Sequence, residues 1–222
     1  MRTLGAAVTV LRHIGYWTLA ICAVLIALMS MRFLTFDAAV LDAFLRPNLL
    51  NHPIPFWIHV TLGPLVLILG VIQFLPVTRR GAYHRWAGKL YVGGVLIAAL
   101  AGLAVAPTTS AGPIAGTGFA ILAVLWFGVT LIAYLKVRAG RYAEHRQWMI
   151  RSYALTCAAI TLRIITPGGI ALGFSFESSY LVAAWASWSV NLVIAELIIR
   201  GRKTALNVPA DRSAAIAPTA LA

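Results

Sequence analysis

Residues 114–136, IAGTGFAILAVLWFGVTLIAYLK, carry no charge until Lys136, and their reading decides the fold. The hydrocarbon core of a bilayer is about 30 Å thick and an α-helix rises about 1.5 Å per residue, so about 20 apolar residues make one crossing. Five more stretches of the same kind surround this one, at 16–34, 53–75, 86–106, 147–165 and 178–199. The 222-residue chain is 61% hydrophobic and 11% charged, with a mean hydropathy of +0.88. Too little polar surface exists to shield those side chains from water, so lipid must be the solvent. The spacing predicts an all-α integral membrane bundle of six transmembrane helices, one domain over 1–203. A small-residue, Ala-rich tail at 204–222, interrupted by Pro209 and Pro218, is expected to be disordered.

The charges orient this bundle. Of the eighteen Lys and Arg residues, all but Arg32, Arg46 and Arg163 stand at the two chain ends or in every second gap between stretches. Arg2 and Arg12 precede the first. Arg79, Arg80, Arg85 and Lys89 separate the second from the third, and Lys136, Arg138, Arg141, Arg146 and Arg151 the fourth from the fifth. Arg200, Arg202, Lys203 and Arg212 follow the sixth. The alternate gaps are nearly empty: Arg32 and Arg46 share one with Asp37 and Asp42, residues 107–113 have no charge, and the last holds Glu177. Short loops rich in Lys and Arg stay cytoplasmic, which places both termini inside a bacterial inner (plasma) membrane. A net charge of +12 and a pI near 10.7 would suggest nucleic acid in a soluble protein. Here the cations form small clusters beside span ends, so the expected partner is the anionic headgroup layer, with no face left for DNA or RNA.

Local punctuation agrees with the spans. Asn48, Pro53 and Pro55 are expected to break the chain before the second helix and Pro76 to end it; Pro107 and Pro113 bracket the third gap, and Pro167-Gly168-Gly169 is expected to close the fifth helix. Trp17, Trp57, Trp86, Trp148 and Tyr153 fall near span ends, where amphipathic rings favour the interface. The first stretch lacks a small-x-small cleavage pattern after Ala27 and is read as a retained helix. Cys22 and Cys157 lie inside separate spans with no second thiol near either in sequence, which predicts packing residues and no disulfide.

Polar and ionisable residues at membrane depth are costly, so each needs a partner or a task. The candidates are His59, Gln73, His84, His145, Arg151, Arg163, Asn191 and Glu196. At about 100° per residue, His145, Ser152, Thr156 and Arg163 share one stripe of the fifth helix. His59, Gly63, Gly70 and Gln73 form a broader line on the second, and His84, Gly88, Tyr91 and Gly102 one on the third. Small residues beside a histidine admit a neighbouring backbone or a flat cofactor. His84 opens the third helix and His145 precedes the fifth, so both belong to the cytoplasmic face, where they can pair. His59 lies near the outer face and cannot join them. Two neutral imidazoles at one depth suit axial ligation of a haem iron; the same residues also suit plain interfacial hydrogen bonding. Arg151 and Glu196 both lie about one turn inside the cytoplasmic boundary on successive helices, which predicts a structural ion pair. Arg163, with no carboxylate close in sequence, either binds an anionic group, such as a haem propionate, quinone-like oxygen or phosphate, or snorkels.

No phosphate-binding Gly-rich loop, CxxC, HExxH or GxSxG motif occurs. Six acidic residues are too few for a carboxylate hydrolase or a Ca²⁺ site, and they disfavour a proton-coupled transporter, with Glu196 the remaining candidate for one.

Several motifs carry a resemblance: His59-x-x-x-Gly63, Gln73-Phe74, Arg79-Arg80, His84-Arg85-x-x-Gly88-x-x-Tyr91, Gly118-Phe119, Leu125-Trp126 and His145-Arg146-x-Trp148-Met149-x-Arg151-Ser152-Tyr153-Ala154. Over about residues 50 to 200 the chain resembles a family of uncharacterised bacterial multi-pass membrane proteins, a domain of unknown function, which implies six or seven helices and no particular activity. More distantly, 59–102 is similar to the paired helices of ascorbate-reducible di-haem transmembrane cytochromes b, which ligate each haem from two alternate helices. That likeness implies haem b on His84 and His145. The second pair has no counterpart, because Gly116, Thr117, Gly118 and Phe119 stand where His59 would need a fourth-helix histidine. The leading expectation is therefore a haem b electron carrier or quinone-linked redox protein, with His84 and His145 as axial ligands and with Arg163 and His59 lining an outer site. The competing class is a small transporter or a lipid- or partner-binding scaffold without a cofactor.

Overall fold

The computed structural model describes residues 2–35, 37, 41, 44–75 and 81–206, with backbone alone for 2–9, 11, 12 and 202–206. These form α1 (Arg2–Ser30), α2 (Arg46–Asn51), α3 (Pro53–Phe74), α4 (Gly81–Val105), α5 (Gly112–Arg138), α6 (Tyr142–Thr156), α7 (Ala158–Ala171) and α8 (Phe176–Leu206), with short 3₁₀ turns at Met31–Thr35 and Ala106–Thr108 and no strand among the described residues. Six stretches are long and apolar enough to cross a membrane: His13–Thr35, Pro53–Phe74, Gly81–Thr108, Gly112–Arg138, Tyr142–Ala171 and Phe176–Gly201. The fifth combines α6 and α7. Six crossings return the chain to the face where it began. That chain-end face carries the α3–α4 and α5–α6 connections, and the opposite face carries the other three.

Prolines start helices where their missing N–H has no intrahelical partner to lose: Pro53 opens α3 and Pro113 lies in the first turn of α5. The α5–α6 turn is a Schellman closure. Gly140 takes φ +71°, its N–H meets Val137 O, and the Arg141 N–H reaches back to Lys136 O at 2.9 Å. Glu144 then bridges Lys136, at 2.8 Å, and Arg141, fixing two of the cations at this end.

Four expectations about the chain need correction. Asn48 does not break the chain; it is buried within α2, and its Oδ1 accepts a hydrogen bond from Thr108 at 3.4 Å. The fifth span does not end at Pro167-Gly168-Gly169, because α7 continues to Ala171 and closes on Gly173 at φ +90°. Gly169 serves packing: a Cβ there would stand 2.4 Å from Ser179 Oγ on α8. Nor is the fifth span one unbroken helix. At Cys157 it tightens, the Ile160 N–H bonding to Cys157 O, and divides into α6 and α7. Tyr153 is a core residue and not an interfacial one. The described part of α8 ends at Leu206, and residues 207–222, most of the expected tail, lie outside the described ones.

The fifth span is the least apolar of the six, and its position explains that. Its α6 half packs on α5, α8 and α3, and its α7 half on α8 and α1. Tyr153 reaches from it across to α3, where its hydroxyl donates to Leu67 O at 3.1 Å. The ring packs against Gly70, where a Cβ would stand 2.1 Å from Tyr153 Cε2. Tyr16 adds a second tie to α3 through Val71 O. Outward positions such as Ile21, Leu25, Ile97, Leu100, Val193 and Leu197 are exposed and apolar, as a lipid-facing surface requires. The opposite face is closed by α2 and its approach: Ser110 Oγ donates to Phe44 O, and the Phe44 ring meets Phe176 and Tyr180 edge-on at 4.7 and 4.9 Å.

Candidate functional site

Three polar regions occupy the interior of the bundle at successive depths. The middle one ties α4, α5 and α6 together, and its hydrogens can be assigned. Thr156 Oγ1 donates to Ser152 O at 3.0 Å, so it must accept from both Trp126 Nε1, at 2.9 Å, and Tyr91 Oη, at 2.8 Å. Tyr91 has then used its proton and accepts from Ser152 Oγ at 3.0 Å, and Ser152 in turn accepts from Thr130 Oγ1 at 2.6 Å. Every hydroxyl hydrogen in this knot has one acceptor. Tyr91, Thr130 and Ser152 are essentially inaccessible. A fully satisfied network of this kind fixes how helices meet and offers nothing to a ligand. Sequence reading put Ser152, Thr156 and Tyr91 on polar stripes but missed Trp126 and Thr130, whose i, i+4 spacing on one face of α5 was the available signal.

The knot also sets the register of the region towards the chain-end face. The third and fifth spans run in the same direction, and Tyr91 touches Ser152 across the gap between them. His84 is seven residues before Tyr91 and His145 seven before Ser152. Seven residues are about two turns and return to nearly the same azimuth, so His84 and His145 stand level, each about 10 Å closer to the face. A gap that a tyrosine ring and a serine hydroxyl span together suits two imidazoles with an iron between them. His145 lies within the first turn of α6, not ahead of it, and its Nδ1–H donates to Ala133 O at 2.8 Å. That fixes the tautomer and leaves Nε2 as the ring's acceptor or ligand atom, the arrangement by which metal-binding histidines are held. His84 is half-buried in the first turn of α4. Between the two levels stands Gly88, faced by the Gln73 side chain of α3, whose Oε1 would be 3.5 Å from a Cβ there. Gln73 Nε2 is buried and has no hydrogen-bond partner among the described residues. Such an orphaned donor beside a bare backbone fits a group with acceptor atoms entering from His84 and His145. Among the described residues no three His, Cys, Asp or Glu side chains converge, whereas a haem iron asks only for two.

Near the same face, Arg151 and Glu196 are joined in a two-pronged pair, Nε to Oε1 and Nη2 to Oε2, the latter at 3.1 Å. The Arg151 guanidinium also lies over the Trp148 ring at 4.7 Å. Asn191 is committed as well: its Nδ2 donates to Ala154 O and its Oδ1 accepts from Thr161.

The third region lies towards the opposite face. His59 Nδ1–H donates to Ala98 O at 2.9 Å, and the ring packs on Gly102, where a Cβ would come within 2.8 Å of Nδ1. Gly102 therefore accommodates another side chain of the bundle and leaves no room there for a flat cofactor. His59 and Arg163 together line a half-open cavity of about 100 Å³ between α1, α3 and α7. Arg163 does not continue the polar stripe of α6: beyond the Cys157 break it faces this cavity and donates Nη1 to its own Ala159 O at 3.0 Å. His59 is thus separated from His84 and His145 by the knot, and Arg163 stands with His59 alone.

These features define a polytopic α-helical membrane protein in which neutral hydroxyls lock the helices and histidines occupy levels on either side of the lock. The chain belongs to the family described as "Predicted membrane protein (DUF2306)", whose sequence model matches residues 56–199. All three histidine positions, Arg163 and the knot fall within the match, and α1 lies outside it. No curated protein and no solved structure matches the chain.

Proposed function

We propose that this protein is a one-electron carrier of the bacterial inner membrane that holds a single haem b between α4 and α6, with His84 and His145 as axial ligands. The observation that supports the reading is the Tyr91–Ser152 bond between two spans that run the same way, because His84 and His145 each precede it by seven residues. The bound haem would supply reversible one-electron exchange at a buried site. The chain's own residues do the rest. The His145 Nδ1–H bond to Ala133 O orients one ligand, and Gln73 Nε2 is available to donate to the bound group. The Tyr91–Thr156 knot closes the floor and keeps water out. Cations flanking the chain-end face support a cytoplasmic setting for it, against anionic headgroups. A transporter based on Glu196 and Asn191 has less support, because both side chains are already engaged by Arg151, Ala154 and Thr161.

Haem content tests the reading. Full-length protein produced with an ample haem supply and purified in mild detergent is expected to carry one haem b per chain by pyridine haemochrome analysis. A His84→Ala, His145→Ala double variant of wild-type helicity is expected to carry none. A correctly folded wild-type protein without haem overturns the proposal.

A further inference from the structure

The His59–Arg163 cavity has a different chemistry from the haem level and stands independently of it. With Nδ1–H committed to Ala98 O, the only other polar atom of His59 is Nε2, a lone-pair acceptor. Arg163 stands about 12 Å along α7 from its end towards the opposite face and forms no ion pair among the described residues. Arg32, in the 3₁₀ turn Met31–Thr35 that follows α1, adds a second positive charge on this side. A guanidinium within a span without a carboxylate beside it is costly unless something accepts from it. The remaining walls, chiefly Ile26, Phe33, Pro64 and Leu67, are apolar apart from Ser30, whose hydroxyl hydrogen is spent on Ile26 O at 2.8 Å, and Gly63 leaves open space where a side chain would stand. The ligand must therefore be lipophilic, must donate a hydrogen to one wall and must present electron-rich oxygen to another. A fully deprotonated anion fails the second condition, because its lone pairs would face that of Nε2, and a protonated phosphate fails the first. A hydroxylated ring meets all three. A cavity of about 150 Å³ admits a whole benzene ring, so one of about 100 Å³ takes the hydroxylated edge while the remainder lies along the helices.

We propose that this cavity binds the ring of a lipophilic quinol, a ring hydroxyl donating to His59 Nε2 and the Arg163 guanidinium donating to a ring oxygen. The site lies at the far side of the bundle from His84 and His145, so its failure and that of the haem reading are separable: a colourless protein can still bind quinol, and a haem-loaded one can fail to.

Equilibrium binding of decylubiquinol, kept reduced, to the full chain in lipid nanodiscs tests it. Wild type is expected to bind saturably, and Arg163→Gln to weaken binding by about tenfold or more, as loss of a charge-assisted hydrogen bond does. His59→Asn can keep the bond to Ala98 O and loses the Nε2 acceptor. It should weaken decylubiquinol similarly while leaving decylubiquinone, which has no hydroxyl to donate, nearly unchanged. Gly63→Leu fills the cavity without touching either polar group and should abolish binding at an unchanged melting temperature, which keeps the test decisive if Arg163→Gln fails to fold. No saturable binding, binding indifferent to Gly63→Leu, equal losses for quinol and quinone in His59→Asn, or displacement of the quinol by millimolar inorganic phosphate would each overturn the proposal.

Discussion

His145 and His59 are anchored alike and face different things. Each donates Nδ1–H to a mid-helix carbonyl of the adjacent helix, Ala133 O in one case and Ala98 O in the other, and each is left with Nε2 as its working atom. In the proposed reading His145 is paired with His84 seven residues ahead of the Tyr91–Ser152 bond on each helix, and a second neutral imidazole there would be a second metal ligand. His59 faces Arg163, and a guanidinium repels a metal cation but donates to oxygen. The anchoring alone therefore predicts no chemistry; the residue across the gap decides it. Between the two levels the Tyr91 knot, with every hydrogen assigned, acts as the partition.

The largest way to break this contrast is at the haem level. His145→Ala should take haem content from one per chain to near zero, while His59→Asn should leave it at one, both read by pyridine haemochrome; equal losses would erase the distinction. Next is the packing beneath the partition. Gly70→Ala drives a methyl into the Tyr153 ring, an overpacking expected to cost about 3 kcal/mol, whereas Gly63→Ala, with open space around its Cβ, should cost under about 0.5 kcal/mol. Reversible unfolding in mixed micelles measures both. Tyr91→Phe leaves the Ser152 hydrogen without its acceptor and removes a donor from Thr156, a loss of about 1–3 kcal/mol, and a value near zero would show that the knot does not lock the helices. The smallest effect is expected at Arg151→Met. That pair is partly exposed, the Glu196 side chain at 38%, and solvent screening should hold its loss to about 1 kcal/mol or less.

How much of this the sequence disclosed follows from what each signal measures. Hydropathy over about 20 residues reports span length, so all six spans were legible, though the third begins five residues earlier than expected and the fifth runs from five residues earlier to six later. Depth along a span is counted in residues, and depth is enough to set Arg151 beside Glu196 and to part His59 from His84 and His145. Which neighbour a side chain turns towards is a property of the assembled bundle. Nothing in the sequence tied His59 to Ala98 O or opened a cavity at Gly63. The knot was half visible because Thr130 and Trp126 look like ordinary lipid-tolerant residues, and a neutral donor shows no cost until it is buried. Pro167 misled because a proline and two glycines usually end a helix; here Gly169 is needed for the close approach of Ser179, and the stop falls at Gly173. Glu144 was passed over among its basic neighbours although it bridges two of them.

The central claim is that two level imidazoles hold one iron, and low-temperature electron paramagnetic resonance of the oxidised, full-length protein reads that directly. A low-spin ferric spectrum of bis-imidazole type that vanishes in His84→Ala and in His145→Ala, and persists in His59→Asn, is the predicted result. A folded wild type with no such signal, or a signal unchanged when both His84 and His145 are gone, would contradict it.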